Sequence, residues 1–585
     1  MSTTDLSDKA NGAPSERRKR GNRRSASPDE RITQTARPPI DNTKSTLGGI
    51  QLPWAPVLSN SPRLASAAIG AARHSANYAS QLASIVTGGS AIRPKKGDRR
   101  FTDPTFTDHP LYRRIMQAYL ALCNEVDASV AESNLQWKDQ ELLQFVAELV
   151  TSSLAPTNVL LGNPAALKRA FETCGASLVL GLRNYLYDLR FNGGMPSQVK
   201  RGALRVGEDL AVTPGGVVYR DAVCEVLQYT PTTSHVRQRP VLLIPPQIGK
   251  YYFMDLSPNR SFVEYAVSRG IPMFVISWRN PGPEDREYNL DVYAASVLRV
   301  TDVVREITGS DQLNTLGMCA GGILTSIVLA HLADTGDDRV HAASFGVTLL
   351  DFAEPSPIGM FNLPVLVNQA RGRSSRKGVL DQQSLAAVFN WLRPNDLIWN
   401  YWVNNYLLGR DPAVFDILAW NNDGTALPAA LHHQFLKIFN LNLLARGELH
   451  VLGTQIDLGK VDIDVYATGA LTDHLTPWKG CYRTTQLMSG DMTFVLSNAG
   501  HIASLVNPPG NPKAHYFVGD DPGADPEAWR ESAKEVRGTW WEHWADWIIA
   551  RGGPEVPAPA TVGSDAFPCL EPAPGSYVLG RSARL

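Results

Sequence analysis

The sequence has few cysteines, no long apolar run and almost no net charge, and each shortage removes a class of protein. Cys123, Cys174, Cys224, Cys319, Cys481 and Cys569 are scattered singly through 585 residues, with no Cys-x-x-Cys pair and no metal-like cluster. Neither a zinc site nor a disulfide framework is expected, and such spacing suits a reducing cytoplasm. No run of about 18 apolar residues occurs, so no transmembrane helix is expected. The basic residues near the start lead into polar ones and not into an apolar h-region, so no signal peptide is read there. A formal net charge of -1 leaves no global field to select nucleic acid or a membrane. No pattern calls for a metal or a cofactor.

What remains is the composition of a globular protein, 43% hydrophobic and 19% charged. The length allows one large catalytic domain with smaller regions attached. Residues 1–100 read as a mostly irregular N-terminal extension, rich in Ser, Arg, Pro, Ala and Asn, with a basic run from Arg17 to Arg24. Residues 101–205 read as a helical region. Asn163-Pro164 is a start signal, Leu167, Phe171, Cys174 and Leu178 recur at helical spacing, and Asn192-Gly193-Gly194-Met195-Pro196 ends the stretch.

From about 206 to 552 the period changes. Val217, Tyr219 and Val223 to Leu227 read as an antiparallel hairpin. Short buried-strand runs follow at Pro240 to Ile244, Met273 to Ser277, Leu313 to Leu316, Ala343 to Leu350, Ile463 to Thr468 and Met492 to Ser497. They alternate with helical segments, which means a mostly parallel sheet covered by helices, with reactive groups at the carboxyl ends of the strands. An insertion at about 352–460 holds Trp391, Trp399, Trp402, Tyr406 and Trp420 and reads as a cap over that edge, most of its rings forming the cap's own core. Trp540, Trp544 and Trp547 share one face of a closing helix, and 553–585 reads as an irregular tail.

One motif fixes the chemistry. Gly317-Met318-Cys319-Ala320-Gly321-Gly322 follows the strand at Leu313 and opens a helix, which is the strand–turn–helix context of a nucleophile elbow. It makes Cys319 the nucleophile of an α/β-hydrolase fold. The turn holds the thiol at a helix N-terminus, which favours the thiolate, and frees the Ala320 N–H to bind an oxyanion. The second oxyanion donor is expected in Pro245 to Lys250, at the Ile248 N–H, with Gln247 next to it. Chain order in this fold runs nucleophile, acid, histidine. His501, just past the strand ending at Ser497, is the expected base. Asp473, past the preceding strand, is the expected acid, with Asp351 as its rival. His474 is read as shaping the loop. A cysteine attacking a thioester makes another thioester, so the acyl group stays active enough to pass to an alcohol; this favours transfer from acyl-CoA.

Several stretches together resemble the poly(3-hydroxyalkanoate) synthases, from about Asp98 to about Ile549. They are Asp98 to Phe101, Asn192 to Ser197, Ile244 to Ile248, Ser277 to Pro281, the elbow, Arg393 to Trp402, Asp473 to Trp478 and Gly500 to Lys513. The resemblance implies an enzyme that polymerises (R)-3-hydroxyacyl-CoA with release of CoA. It implies a cytoplasmic homodimer on the surface of the polyester granule it makes, and, from the wording of Asn395 to Trp402, the single-subunit type that prefers medium-length side chains. It implies that Cys319 carries the growing chain, that His501 activates it, and that Asp473 also helps deprotonate the substrate's 3-hydroxyl. Leu475, Ala499 and Ala503 depart from the family wording. Two rivals are a cysteine hydrolase of the dienelactone hydrolase type, whose chains are a bare catalytic domain, and a non-catalytic granule-coating protein that has kept the fold.

Overall fold

Eleven strands between residues 215 and 572 build one mixed sheet in the computed structural model, which describes residues 46–47, 50–51, 68–356, 364–520 and 522–580. In chain order these are β1 (Gly215–Arg220), β2 (Cys224–Tyr229), β3 (Val241–Ile244), β4 (Met273–Trp278), β5 (Leu313–Met318), β6 (Val340–Gly346), β7 (Asp464–Ala470), β8 (Met492–Ser497), β9 (His515–Val518), β10 (Lys534–Arg537) and β11 (Glu571–Pro572). The spatial order is β10-β9-β8-β7-β6-β5-β3-β4-β2-β1-β11. The six strands from β8 to β4 run parallel, and antiparallel strands extend the sheet on both sides. β3, β4 and β5 are buried at every position, and β3 and most of β4 read as apolar runs, while β5 buries Asn314 and Thr315. This is the expected α/β-hydrolase architecture, including the hairpin β1–β2, which carries a bulge at Val217/Tyr219.

Helices cover both faces. One face is closed by the helix Trp540–Ala550, whose Trp540, Trp541 and Trp544 are buried against Phe262. A Thr539–Glu542 capping box starts it. The other face holds Leu290–Thr308 and the largely buried Ala320–Thr335. No described helix is long and apolar enough to cross a membrane.

Ahead of the sheet lie α1 (Ala68–Thr87), α2 (Pro110–Ala131), α3 (Trp137–Ser153), α4 (Pro164–Glu172) and α5 (Ala176–Phe191). The expected start of α4 is present: the Asn163 side chain accepts from the Ala166 N–H and Pro164 takes the first position. α1 corrects, over 68–87, the reading of 1–100 as mostly irregular. It packs along α2, with buried His74 2.7 Å from Glu125 and Gln81 donating to the same carboxylate. Its Ala- and Ser-rich wording hid a helix whose partner lies some 50 residues on. The basic run Arg17 to Arg24 lies outside the described residues.

A second correction concerns α4 and α5. Leu167, Phe171, Cys174 and Leu178 recur at helical spacing, but Gly175 at φ 84° divides them between two helices, and Phe171 is 82% exposed. The buried side of α5 is Ser177, Gly181 and Asp188. Gly181 has no room for a side chain: a Cβ there would lie 1.8 Å from the Tyr406 carbonyl oxygen. Close backbone approach, not apolar bulk, selects this face.

Between β6 and β7 the chain leaves the sheet to form the cap. It contains Pro364–Lys377, Gln382–Leu392, two π-helical turns at Asn395–Trp399 and Trp402–Leu407, Asp416–Asn422 and Ala429–Leu441. Its aromatics do more than fill a private core. Trp391 and Trp399 cluster with Leu149 of α3, and the Trp402 Nε1–H donates to the Asn158 carbonyl. Tyr185 meets Trp402 and Tyr406 edge-on. The N-terminal helices are thereby joined to the cap. Arg100 adds a long-range tie, reaching Tyr119 at 2.7 Å and Asn395 at 3.4 Å.

Of the stretch expected to be irregular, residues 553–580 are more ordered than that reading. Residues 555–557 pair with 235–237, β11 pairs with β1, and Val578 is buried. Proline-rich chain cannot enter a central ladder, but it can pair at an edge, which is where both segments sit.

Candidate active site

β5 ends at Met318 and the helix Ala320–Thr335 begins one residue later, with Cys319 at the turn in a left-handed conformation, φ 49° and ψ -119°. Such a backbone costs on the order of 1–3 kcal/mol for a residue with a side chain. The surroundings over-determine it. The Cys319 N–H donates to the Gly346 carbonyl on β6, and its own carbonyl accepts from Gly322 and Ile323. A Cβ at Gly321 would lie 2.2 Å from the Ile244 carbonyl oxygen, so the elbow presses directly on the end of β3. The thiol is partly exposed.

Asp473 follows β7 and His501 follows β8, on neighbouring parallel strands. The fold brings them together: His501 Nδ1 lies 2.7 Å from Asp473 Oδ2. Both are buried. Burial alone would drive His501 to its neutral form, but the Asp473 charge and hydrogen bond, with a further contribution from Cys319, push it up to about 10. Burial likewise favours a neutral Asp473; the His501 charge and hydrogen bond, then the N–H and hydroxyl of Thr476, hold it below the ordinary value. Asp473 and Thr476 occupy the Nδ1 side of the ring, which leaves Nε2 for the thiol.

The rival Asp351 is engaged elsewhere. It accepts from Asn442 at 2.7 Å, from the Ala353 N–H at 2.9 Å and from Arg483 at 3.5 Å. His474 sits beside the pair with its ring toward the cap. Burial and then Arg393 push it down to about 4, so it is neutral near pH 7.

Ala320 occupies the first helical position, where its N–H has no partner within the helix. Ile248 lies in the turn after β3, and its N–H has no protein acceptor among the described residues. Among the described residues, neither N–H has a protein acceptor outside its own helix or turn. The cap holds this turn from above: Thr425 donates to the Gln247 carbonyl at 3.0 Å and Trp420 to the Lys250 carbonyl at 2.8 Å. Lys250, itself buried, reaches Asp423 of the cap and the Val578 carbonyl of the tail, each at 2.7 Å.

Two residues at the site were not singled out from sequence. Thr476 touches both Asp473 and His501. Its signal was available, since a hydroxyl three residues after an aspartate commonly bonds back to it. Cys481 is buried behind the pair, donating to the Thr476 carbonyl, and burial followed by the Asp473 charge pushes its thiol well up. Among the described residues no cluster could hold a metal ion.

Comparison with known proteins gives two family matches. Residues 97–266 match the family described as poly-beta-hydroxybutyrate polymerase (PhaC) N-terminus, and 240–508 match the alpha/beta hydrolase fold. The chain is 46% identical over 511 residues to poly(3-hydroxyalkanoate) polymerase 1 of Ectopseudomonas oleovorans, covering 87% of this chain and 91% of that one. Polymerase 2 of the same organism is 44% identical at the same coverage. The poly(3-hydroxyalkanoate) polymerase subunit PhaC of Cupriavidus necator is 36% identical, covering 83% of each chain.

Proposed function

The chain belongs to the poly(3-hydroxyalkanoate) polymerase family, and from that premise we propose that Cys319 carries the growing polyester as a thioester, activated by His501 and Asp473. Membership makes the chain an acyltransferase that forms poly(3-hydroxyalkanoate). The observation that carries the residue assignment is the 2.7 Å contact between His501 and Asp473 behind a cysteine held at a left-handed elbow.

The steps follow from the residue types. The Cys319 thiol gives its proton to His501 and attacks the thioester carbonyl of (R)-3-hydroxyacyl-CoA. The N–H groups of Ala320 and Ile248 take the charge that develops on the carbonyl oxygen. The bond to CoA sulfur breaks, and His501 returns the proton to the leaving thiolate. The 3-hydroxyl of the next hydroxyacyl-CoA then attacks the acyl-cysteine, and His501 accepts its proton. An ester forms, Cys319 regains its thiol, and the lengthened chain, now a CoA thioester, acylates Cys319 again with loss of CoA. Asp473 steadies the imidazolium at each stage.

The reading extends to a homodimer, to the cytoplasm and the polyester granule surface as its location, and to medium-length side chains as the preferred units. The family resemblance as a whole supports the dimer and the location, and the wording of Asn395 to Trp402 supports the side-chain preference.

The test is incubation with (R)-3-hydroxyacyl-CoA of about four to ten carbons, with Cys319→Ala as control. CoA release with insoluble polyester, absent in the variant, is expected. Release of free 3-hydroxy acid alone would overturn the reading in favour of a hydrolase.

A further inference from the structure

The Asp473 carboxylate is full. Oδ1 accepts from the Leu475 N–H at 2.8 Å and the Thr476 N–H at 3.0 Å. Oδ2 accepts from the Thr476 hydroxyl at 2.7 Å and faces His501 Nδ1 at 2.7 Å. A carboxylate offers about four acceptor sites, and this one has used them.

The Thr476 oxygen also lies 3.1 Å from His501 Nδ1. A hydroxyl has one hydrogen. Here it goes to the anion, so a lone pair of the Thr476 oxygen faces Nδ1. Two acceptors, Asp473 Oδ2 and Thr476 Oγ, then converge on one ring nitrogen, and that nitrogen must carry hydrogen. This fixes which nitrogen keeps its hydrogen throughout, and leaves Nε2 to exchange a proton with the Cys319 thiol. It also fixes the plane of the ring. A ring held by one hydrogen bond can pivot about it; a ring held by two at an angle cannot. Thr476 is 2% exposed, so water does not replace its hydroxyl.

We propose that Thr476 is a positioning residue of this site, which locks the tautomer and plane of His501 and keeps Asp473 anionic through one shared hydroxyl. The proposal deepens the acyl-cysteine reading and rests on it for the role of His501. The charged and titratable neighbours are Cys319 on the elbow, His474 on the same loop, Cys481 on the short helix after it, and Arg393 and Asp396 of the cap acting through His474.

Thr476→Val keeps the shape of the side chain and removes the hydroxyl; Thr476→Ser keeps the hydroxyl. In Thr476→Val, kcat for (R)-3-hydroxyacyl-CoA should fall about tenfold with KM within about twofold, the pattern of a group that acts in the transition state. Asp473 loses a donor and accepts a proton at higher pH. The acid limb of kcat/KM should therefore move up by about half a unit to one unit, the size of one hydrogen bond. Thr476→Ser should return kcat to within about threefold of the wild type.

A second readout needs no substrate. The rate of Cys319 alkylation by iodoacetamide, followed against pH, reports the thiolate directly, and its acid limb should move with the same sign. That arm separates this proposal from the polymerase reading, which fails on its own if the wild type makes no polyester. A packing role for Thr476 would leave both profiles in place and would be rescued better by Val than by Ser. Unmoved profiles in Thr476→Val, or a Ser variant as impaired as the Val variant, overturn the proposal. If Thr476→Val does not fold, Thr476→Ala is read in the same two assays.

Discussion

The phenol of Tyr406 in the cap donates to Asp188 of the N-terminal helices at 2.7 Å, and Asp188 is almost wholly buried where it does so. Ser197 supplies the remaining donors, from its N–H and its hydroxyl. Tyr406→Phe leaves a buried carboxylate short of one partner, at a cost of about 1–3 kcal/mol. Gly181→Leu, which must push Tyr406 away, is expected to cost more. Thermal unfolding should rank the two in that order, and activity should fall with stability, because the displaced segment belongs to the cap.

Asp473→Asn should lower kcat by about 10³-fold or more, since an amide can hold the wrong tautomer of His501. Asp351→Asn should stay within about tenfold of the wild type, because Asp351 bonds to Asn442 and Arg483 and not to the histidine. CoA release under saturating substrate compares them. Equal losses would make Asp351 the acid.

The raised His501 also predicts a pH effect on stability. Its folded value, up at about 10, lies above the ordinary 6.5. The contribution is fully present below pH 6.5 and is lost as pH rises through about 10. Asp473→Asn removes its source. The gap in stability between wild type and Asp473→Asn should therefore be wide at pH 6 and narrow by pH 10. Denaturant unfolding at both values measures it, and a constant gap would refute the assignment of the charge.

Lys250 tests the tail. Its ammonium joins Asp423 of the cap to the Val578 carbonyl, two residues from the proposed oxyanion donor Ile248. Lys250→Met is expected to cost about 1–3 kcal/mol and to lower kcat more than it raises KM. Removal of 571–585 takes away the same carbonyl, the Tyr577 N–H on buried Glu225 and strand β11. It should lower the melting temperature further than Lys250→Met does.

Much of this was legible beforehand, for physical reasons. Parallel strands buried on both faces leave apolar runs, as in β3 and most of β4. The elbow is legible because its geometry demands small residues at fixed offsets, and the Asp473–His501 pairing because consecutive parallel strands deliver their ends side by side. What stayed hidden depends on partners distant in sequence. The docking face of α5 is Ser177, Gly181 and Asp188, small or polar residues that no apolar periodicity marks, while the visible Leu and Phe positions point outward. α1 and the tail read as irregular because their wording is poor in large apolar residues, although both gain order by pairing with segments far along the chain. The Thr476–Asp473 bond is local and legible, but the contact of Thr476 with His501 depends on a residue 25 positions on.

The edge pairing of β1 with β11 bears on how the protein is made. β1 begins at residue 215 and its partner begins at residue 571. A ribosome must therefore translate the 350 codons for residues 221–570 between the two strands. Throughout that interval the nascent sheet has a bare edge, and Glu225, wholly buried in the finished protein, still lacks the Tyr577 N–H. Exposed edges recruit other chains. Slow translation or truncated messages should thus raise the demand for chaperones at this edge, before any monomer has met the thiol.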